Sequence, residues 1–522
     1  MSKAIDSKLC TADTAVSHIA SGSTIACGGF IGSAHPEALT CALEERFQRD
    51  NTPRDLTLVY GAGQGDGKQR GLNHLAHSGL LKRVIGGHWG LAPSLGRLAN
   101  ENKIEAYNFP QGVLCQLFRD IAAGRPGCIT HVGLGTFMDP LHNGGRLNAR
   151  TTEELVERVE LGGRIYLWYK SFPIHVGLIR ASAADIHGGL LFDEEAILGE
   201  ALAIAQAAHN HGGIVIAQVK RILNQPAPPH LVRVPGILVD HIVVANQTLH
   251  PLTFAEEDNF AYYTAAAIDS QNDTNDSNAA RKLLSDERFI IASRACDELL
   301  PGSIANLGIG MPEGISVIAK QRGLLAQCTL TIESGPIGGA PAGGLSFGAS
   351  AHPHAIIDQP AQFDFYDGGG LDFAALGAAQ IDPHGNVNVS KFGARIAGVG
   401  GFANIAHNAK KLVFCGSFTA NGLNVACSND RLSILQEGQT QKFVQSIEQI
   451  CYAAQFSNPN QMEVLYVTER AVFRKCDSGL ELIEIAPGID LKRDVLAHMA
   501  FLPIIKAVRL MPTEYFRNRE PQ

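Results

Sequence analysis

The chain has 522 residues, of which 45% are hydrophobic and 18% charged, the balance of a folded globular protein rather than a disordered one. At roughly 100–200 residues per domain, more than one core is expected. The net charge of −8, with no Lys/Arg block, excludes the basic footprint of a nucleic-acid binder, and no run approaches the ~18 apolar residues of a membrane span.

Candidate strands in the first half are Thr24–Cys27, Leu56–Tyr60, Arg83–Ile85, Ile165–Tyr169, Gly213–Gln218 and His241–Ala245. Helical patterns fall between several of them, as at Pro36–Phe47 and Glu194–His209. In the second half the candidate strands are Ile304–Leu307, Thr329–Ile332, Ala355–Ile357 and Leu412–Cys415. Short apolar runs alternating with helices predict α/β units with largely parallel sheets.

The polar, turn-forming stretch Gln271–Ser277 predicts a linker just past the midpoint. The domains are therefore expected at 1–270 and 284–522, joined by 271–283. The two parts resemble each other. Gly22-Ser23-Thr24-Ile25-Ala26-Cys27-Gly28 leads to Pro36-Glu37, as Gly302-Ser303-Ile304-Ala305-Asn306-Leu307-Gly308 leads to Pro312-Glu313. Ala184-Asp185-Ile186-His187-Gly188 is a weaker match to Ile381-Asp382-Pro383-His384-Gly385. Two related open α/β domains are expected, with the active site between them. When the second strands are superposed, Gly61 falls opposite Glu333, so only the second half carries a carboxylate at that strand end.

The eleven cysteines are scattered without a Cys-x-x-Cys pair, which suits reduced thiols in a cytoplasm and offers no zinc-ligand spacing. The N-terminus lacks the apolar core of a signal peptide. No metal is expected. Asp364, Asp367 and Asp372 fail the calcium-loop spacing and read as turn residues. Gly344-Leu345-Ser346-Phe347-Gly348 matches a serine-hydrolase elbow by letter only, since no apolar strand leads into it.

The densest chemical signal is Thr331-Ile332-Glu333-Ser334-Gly335-Pro336-Ile337-Gly338-Gly339. A strand delivers a carboxylate into a glycine-rich loop, at the kind of strand end where open α/β sheets bind ligands. On these residues alone Glu333 serves equally as base, metal ligand, nucleophile or turn carboxylate. Gly398-Val399-Gly400-Gly401 suits backbone N–H groups aimed at an oxyanion, or a tight turn. Gly308-Ile309-Gly310-Met311-Pro312 lies between a strand and a helix, where a phosphate or carboxylate is favoured, but it is not a dinucleotide fingerprint. Gly28-Gly29-Phe30 opens a long loop before a helix. In Phe109-Pro110-Gln111-Gly112, the Gln111 amide can donate to a substrate oxygen or serve the turn.

Together and in this order, these motifs resemble the family I coenzyme A-transferases, the 3-oxoacid CoA-transferase family, over nearly the whole chain. The likeness is greatest to the fused acetate/propionate, short-chain acyl-CoA transferases. Ser334-Gly335 after the glutamate, and Phe402-Ala403-Asn404 after the glycine motif, depart from the oxoacid-specific pattern and favour the short-chain subgroup. The resemblance implies that Glu333 is the covalent nucleophile of a ping-pong reaction through glutamyl anhydride and glutamyl-CoA thioester. Gln111, Gly400 and Gly401 would hold the oxyanion. Gly308, Ile309, Gly310, Met311, Pro312 and Gly398 would contact CoA, and Gly28, Gly29 and Phe30 would form a substrate loop. It implies CoA thioesters and short-chain carboxylates as substrates, no permanently bound cofactor, and a homo-oligomer, with a tetramer as the expected form. The rival readings are a 3-oxoacid transferase, an isomerase or lyase on the same fold, a ligand sensor and a nicotinamide oxidoreductase.

Overall fold

The computed structural model describes residues 4–265, 283–456 and 463–517. All but the last residue of the expected linker 271–283 lies outside the described residues. The chain divides into two compact units that do not follow its halves in sequence. The first holds Met1–Ala266, Ile332–Asp364 and Lys391–Asn404; the second holds Ala267–Thr331, Phe365–Ser390 and Ile405–Gln522.

The strands of the first unit's main sheet are β1 (Thr24–Cys27), β2 (Leu56–Tyr60), β3 (Leu81–Gly86) and β4 (Glu105–Asn108). A separate antiparallel sheet follows, made of β5 (Gly127–Thr130), β6 (Val156–Leu161) and β7 (Arg164–Lys170). The main sheet then resumes with β8 (Val176–Ala184), β9 (Leu190–Leu191), β10 (Ile214–Ile222), β11 (Val232–Val234) and β12 (His241–Val244). The helices are α1 (Ala12–Ser17), α2 (Glu37–Asp50), α3 (Pro93–Asn100), α4 (Gln111–Ala122) and α5 (Ala201–Asn210). Helix α2 shows how the local sequence sets an element. Pro36 fixes its entry, Ala38, Leu39, Ala42, Leu43 and Phe47 bury one stripe, and Asn51 ends it at φ 55° with its N–H on Phe47 O.

The second unit's sheet contains β13 (Ile304–Leu307), β14 (Thr329–Leu330), β15 (Phe373–Gly377), β16 (Lys411–Cys415) and β17 (Glu463–Val467). It continues through β18 (Ala471–Cys476), β19 (Gly479–Ile485) and β20 (Ile504–Leu510). Helices α6 (Asp286–Cys296) and α7 (Gly314–Gln321) contribute Ile290, Ile291, Ile315 and Ile318 to a core with Leu330, Phe373, Val413 and Leu465. Helices α8 (Gln359–Asp367) and α9 (Phe402–Asn408) complete the elements needed below.

The two main sheets share a five-stranded parallel path. In the first it runs β2-β1-β8-β10-β12, and in the second β14-β13-β15-β16-β17. The first sheet extends beyond β2 with β3 and β4, whereas the second extends beyond β17 with β18 to β20. Register agrees as well. Thr24 faces Thr57 in one sheet and Ile304 faces Thr329 in the other, so Gly61 and Glu333 each lie four residues past a matched position. The faint Asp-x-His-Gly likeness is also structural. Asp185 Oδ1 accepts from His187 N and Gly189 N, both at 2.9 Å, and Asp382 Oδ1 accepts from His384 N and Asn386 N at 2.9 and 3.0 Å. One side-chain-closed turn thus occurs in both units, after β8 in the first and after the short strand Gln380–Ile381, outside the main sheet, in the second.

Candidate active site

Glu333 follows β14 in a turn closed by Gly335 N–H donating to Ile332 O at 3.0 Å. Ile332 N–H donates to Pro336 O at 3.0 Å, and Ser334 Oγ donates to Gly348 O at 2.6 Å. The turn is therefore anchored on both sides of the carboxylate, which is half-buried. Gly335 adopts φ 126° and its Cα face abuts Ile357 O, leaving no room for a side chain.

The glycine motif lies against this turn. A methyl group at Gly401 would stand 3.4 Å from both Glu333 Cγ and Phe363 Cζ, so the three residues line one spot. The loop is held by Val399 N–H on Asn108 Oδ1 at 2.9 Å and Gly400 N–H on Gly87 O at 2.8 Å. Asn108 in turn donates to Gly86 O and Gly87 O at 2.8 and 2.6 Å, which ties the motif to the exit of β3.

Gln111 enters from the other side. Pro110 caps α4, making Gln111 its first residue, and Gln111 N–H donates to Gly400 O at 2.9 Å. A methyl at Gly400 would lie 3.8 Å from Gln111 Oε1. The Gln111 side chain is only 2% exposed, and its Nε2 is buried without a hydrogen-bond partner among the described residues. A buried amide donor left unpaired is costly unless a ligand completes it. Glu333, Gly401, Gly400 and Gln111 thus come together inside one compact unit, drawn from both halves of the sequence.

Comparison with known proteins agrees with this arrangement. The Coenzyme A transferase family pattern matches residues 10–245. Acetate CoA-transferase YdiF of Escherichia coli K12 is 40% identical over 512 residues, covering 97% of this chain and 94% of that protein. The chain belongs to the coenzyme A transferase family. Caffeate CoA-transferase of Acetobacterium woodii is 41% identical over 506 residues, covering 96% of this chain and 95% of the relative. The crystal structure of the acyl-CoA transferase YdiF from E. coli O157:H7, a thioester complex with CoA, superposes with a TM-score of 0.91 at 38% identity, covering 98% of this chain and 97% of that one. The α/β architecture is that of the CoA-transferases, and the chain is an enzyme of the transferase class acting with a CoA thioester as substrate.

Within this CoA-transferase the expected site residues have unequal surroundings. Gly400 spends its N–H on Gly87 O, whereas no acceptor among the described residues takes the N–H of Gly401. Gly398, at φ 79°, packs against the backbone of Gly87, His88 and Trp89, a close-approach position. Gly28 N–H is bound to Leu178 O at 3.0 Å. Gly29 adopts φ 135° beside the His35 backbone. Phe30 is 4% exposed and packs on Phe347 with ring centroids 5.8 Å apart, beside the Gly348 that Ser334 holds. Its ring supports the Glu333 turn from below.

The loop Gly308–Pro312 lies in the second unit at the exit of β13. Gly308 N–H is bound to Ala375 O at 2.8 Å, Ile309 is 54% exposed, and Gly310 adopts φ 86°. Gly314, Ile315 and Ser316 N–H donate to Met311, Pro312 and Glu313 O at 3.4, 3.0 and 3.2 Å. The start of α7 therefore offers few unspent donors to a phosphate. In the loop itself Ile309 is exposed, Pro312 is buried, and Gly310 O accepts from Arg288 Nη1 at 3.4 Å.

Reading the sequence by motif missed three neighbours of the site. His88 lies between Gly63, Gly90 and Gly400, and loss of water together with Arg395 lowers its pKa to about 4, so its ring is neutral at physiological pH. Phe363 backs Gly401 and Gly112. Glu200 lies under Gly61, where a methyl would come within 2.5 Å of its Oε1. Ile31, a β-branched residue at φ 56° in the loop after Gly29, marks strained backbone there, a signal that sequence does not carry.

Among the described residues, Glu37, Cys41 and His74 are close enough to share a metal ion. Their groups already satisfy one another. His74 Nε2 lies 3.1 Å from Glu37 Oε1 and 3.3 Å from Cys41 Sγ, and His74 Nδ1 lies 2.5 Å from Glu44 Oε2. No helix among the described residues is long and apolar enough to cross a membrane.

Proposed function

We propose that this CoA-transferase exchanges coenzyme A between a short-chain acyl-CoA and a free carboxylate such as acetate, with Glu333 as the covalent nucleophile. The observation that carries the reading is the convergence of Glu333, the unspent N–H of Gly401 and the orphaned Gln111 amide. A Glu333 oxygen attacks the thioester carbonyl, the C–S bond breaks, and CoA thiolate leaves behind an acyl-glutamyl anhydride. The thiolate then attacks the glutamyl carbonyl, giving glutamyl-CoA thioester and the free acid. A second carboxylate runs both steps in reverse, so no proton, metal or nucleotide is consumed.

Each addition places negative charge on a carbonyl oxygen. The Gly401 N–H and Gln111 Nε2 are the donors for it, and one such donor is worth about 2.7–4 kcal/mol in comparable sites. Gly400 and Gly398 shape the turn that aims them. CoA binding would draw on the Gly308–Pro312 loop, where Ile309 is exposed, and remote contacts of this kind can be spent at the transition state. The names of two relatives, acetate and caffeate CoA-transferase, bracket small and aromatic acids. The short-chain assignment rests on Ser334-Gly335, where oxoacid-specific members are expected to differ.

Two measurements test this. Glu333→Ala is expected to abolish exchange between acetyl-CoA and propionate, and wild-type exchange by the purified variant would refute the mechanism. Incubation with acyl-CoA followed by borohydride should modify the peptide containing Glu333. A panel of acyl-CoA donors against acetate, with a 3-oxoacid arm, decides the acyl preference.

A further inference from the structure

Glu200, the residue immediately before α5, has a carboxyl that is 1% exposed yet is bonded to no Lys or Arg among the described residues. Its Oε1 accepts from Gln359 Nε2 at 3.2 Å and from Cys115 Sγ at 3.7 Å, and Gln359 Nε2 lies 3.1 Å from the same sulfur. The Gly29 N–H also faces the carboxyl. Glu200 Oε2 and Gln359 Oε1 are both buried without a hydrogen-bond partner among the described residues.

These contacts reach three segments of the active site. Cys115 lies one turn after Gln111 on α4, so the pair shares a face of the helix. Gln359 lies one turn before Phe363 on α8, and Phe363 backs Gly401. Gly29 belongs to the loop that carries Phe30, which supports the Glu333 turn.

We propose that Glu200 is a positioning residue for CoA transfer: its buried carboxyl bridges α4 and α8 beside the Gly28–Phe30 loop, keeping Gln111 and Gly401 on the reacting carbonyl, and a negative charge sealed there with no Lys or Arg bonded to it among the described residues disturbs that packing. The titratable groups that face it are Cys115 on α4 and Cys27 at the end of β1, with Asp358, the residue before α8, facing Cys115 in turn. All three are acids that burial keeps toward their neutral forms, and none can supply a compensating positive charge. Burial likewise lifts Glu200 to about 7. Ionisation therefore places an unpaired buried charge among these elements. The proposal rests on Glu333 chemistry at this site, and loss of all exchange in the wild-type enzyme would refute that chemistry rather than the bridge.

The test compares kcat of the wild type and Glu200→Gln from about 1.5 pH units below the wild-type midpoint to about 1.5 units above it. The glutamine is isosteric and cannot ionise. The ratio of wild-type to variant kcat is expected to fall severalfold as pH rises through about 7, with KM for the acid unchanged. A ratio flat with pH, or a titration confined to KM, overturns the proposal. Infrared difference spectra provide a readout independent of turnover. A protonated-carboxyl band that titrates near 7 should be missing from Glu200→Gln, and its persistence in the variant overturns the assignment. If that variant does not fold, Cys115→Ser takes its place. A hydroxyl donor stabilises the carboxylate more than a thiol does, so the midpoint should move to lower pH, and an unmoved midpoint refutes the coupling.

Discussion

Placing a methyl group at successive positions of the glycine motif separates its structural from its chemical demands. Gly398 sits at φ 79°, and a methyl there would stand 2.9 Å from Gly87 O, His88 Cα and Trp89 N. These are backbone atoms, and Trp89 N–H is fixed on Ala397 O at 2.7 Å, so they cannot yield. The left-handed backbone costs roughly 1–2 kcal/mol for a residue with a Cβ, and overpacking typically adds about 1–3 kcal/mol. Gly398→Ala should therefore lose about 3 kcal/mol of stability. Gly401 has a backbone conformation open to other residues, and the nearest neighbours of its methyl are Glu333 Cγ and Phe363 Cζ at 3.4 Å, ordinary packing distance. Gly401→Ala should change stability by less than about 1 kcal/mol. It would nonetheless crowd the carboxylate and its oxyanion space, where a misplacement of about 1 Å can cost ~100-fold in rate. Urea unfolding followed by the fluorescence of Trp89, which is buried beside Gly398, and CoA exchange assayed on the same preparations give both numbers. Equal stability losses for the two variants, or wild-type turnover by Gly401→Ala, would refute the packing argument.

Gln111→Ala should lower kcat by about 10²–10³ with little change in KM, since it removes a donor used at the tetrahedral stage; an unchanged kcat in steady-state kinetics removes Gln111 from the mechanism. Stability should fall on acidification below about pH 6.5. His35 is buried with Nδ1 2.6 Å from Gln64 Oε1, and desolvation lowers its pKa to about 4. The unfolded state thus takes up the proton first, so this stability is complete above the unfolded pKa and is lost as pH drops toward 4. The span is worth about 3 kcal/mol at most, and His35→Gln should flatten that limb in unfolding curves; an unaltered acid limb would show that His35 is not its source.

The strands bounded by glycine and built from short apolar runs are legible in the sequence. Thr24–Cys27, Leu56–Tyr60 and Ile304–Leu307 begin and end where their residues predict. The longest miss is β8, which lies between β1 and β10 at the middle of the first sheet. Its run Val176-Gly177-Leu178-Ile179-Arg180-Ala181-Ser182 is interrupted by an arginine that reads as exposed. Arg180 is buried because Glu195 pairs with it at 2.9 Å, a partner supplied only by the fold. The same network explains why the helix expected over Glu194–His209 starts at Ala201: Glu195 and Glu200 are drawn into buried contacts before the helix begins. Ile165–Tyr169 is a strand, but it pairs antiparallel with β5 and β6 instead of joining the parallel sheet. At the site, Glu333, Gln111 and the glycine motif are readable because each needs a particular residue type in a short segment. His88, Phe363 and Glu200 reach the site from separate segments, and only folding brings them together.

The duplication gives the asymmetry between the halves a physical form. The two five-stranded paths and their registers place Gly61 and Glu333 at matching points past the second strand. At the first of these points the space beyond the glycine Cα is taken up by the Glu200 carboxyl, at 2.5 Å from where a Cβ would stand. Gly61 is therefore more than a lost catalytic residue, because a side chain there would displace Glu200 and the contacts it makes with Cys115 and Gln359. Each sheet thus has a carboxyl near the end of its second strand. The one at Glu333 is half-buried and placed beside the oxyanion donors, whereas the one at Glu200 comes from a different segment, is sealed from water and is biased toward its neutral form. Reactivity at Glu333 needs a carboxylate that ionises and reaches a substrate. A neutral carboxyl at Glu200 can instead hold neighbouring elements in place, and the pH dependence of Glu200→Gln is the measurement that separates these two uses of the same position.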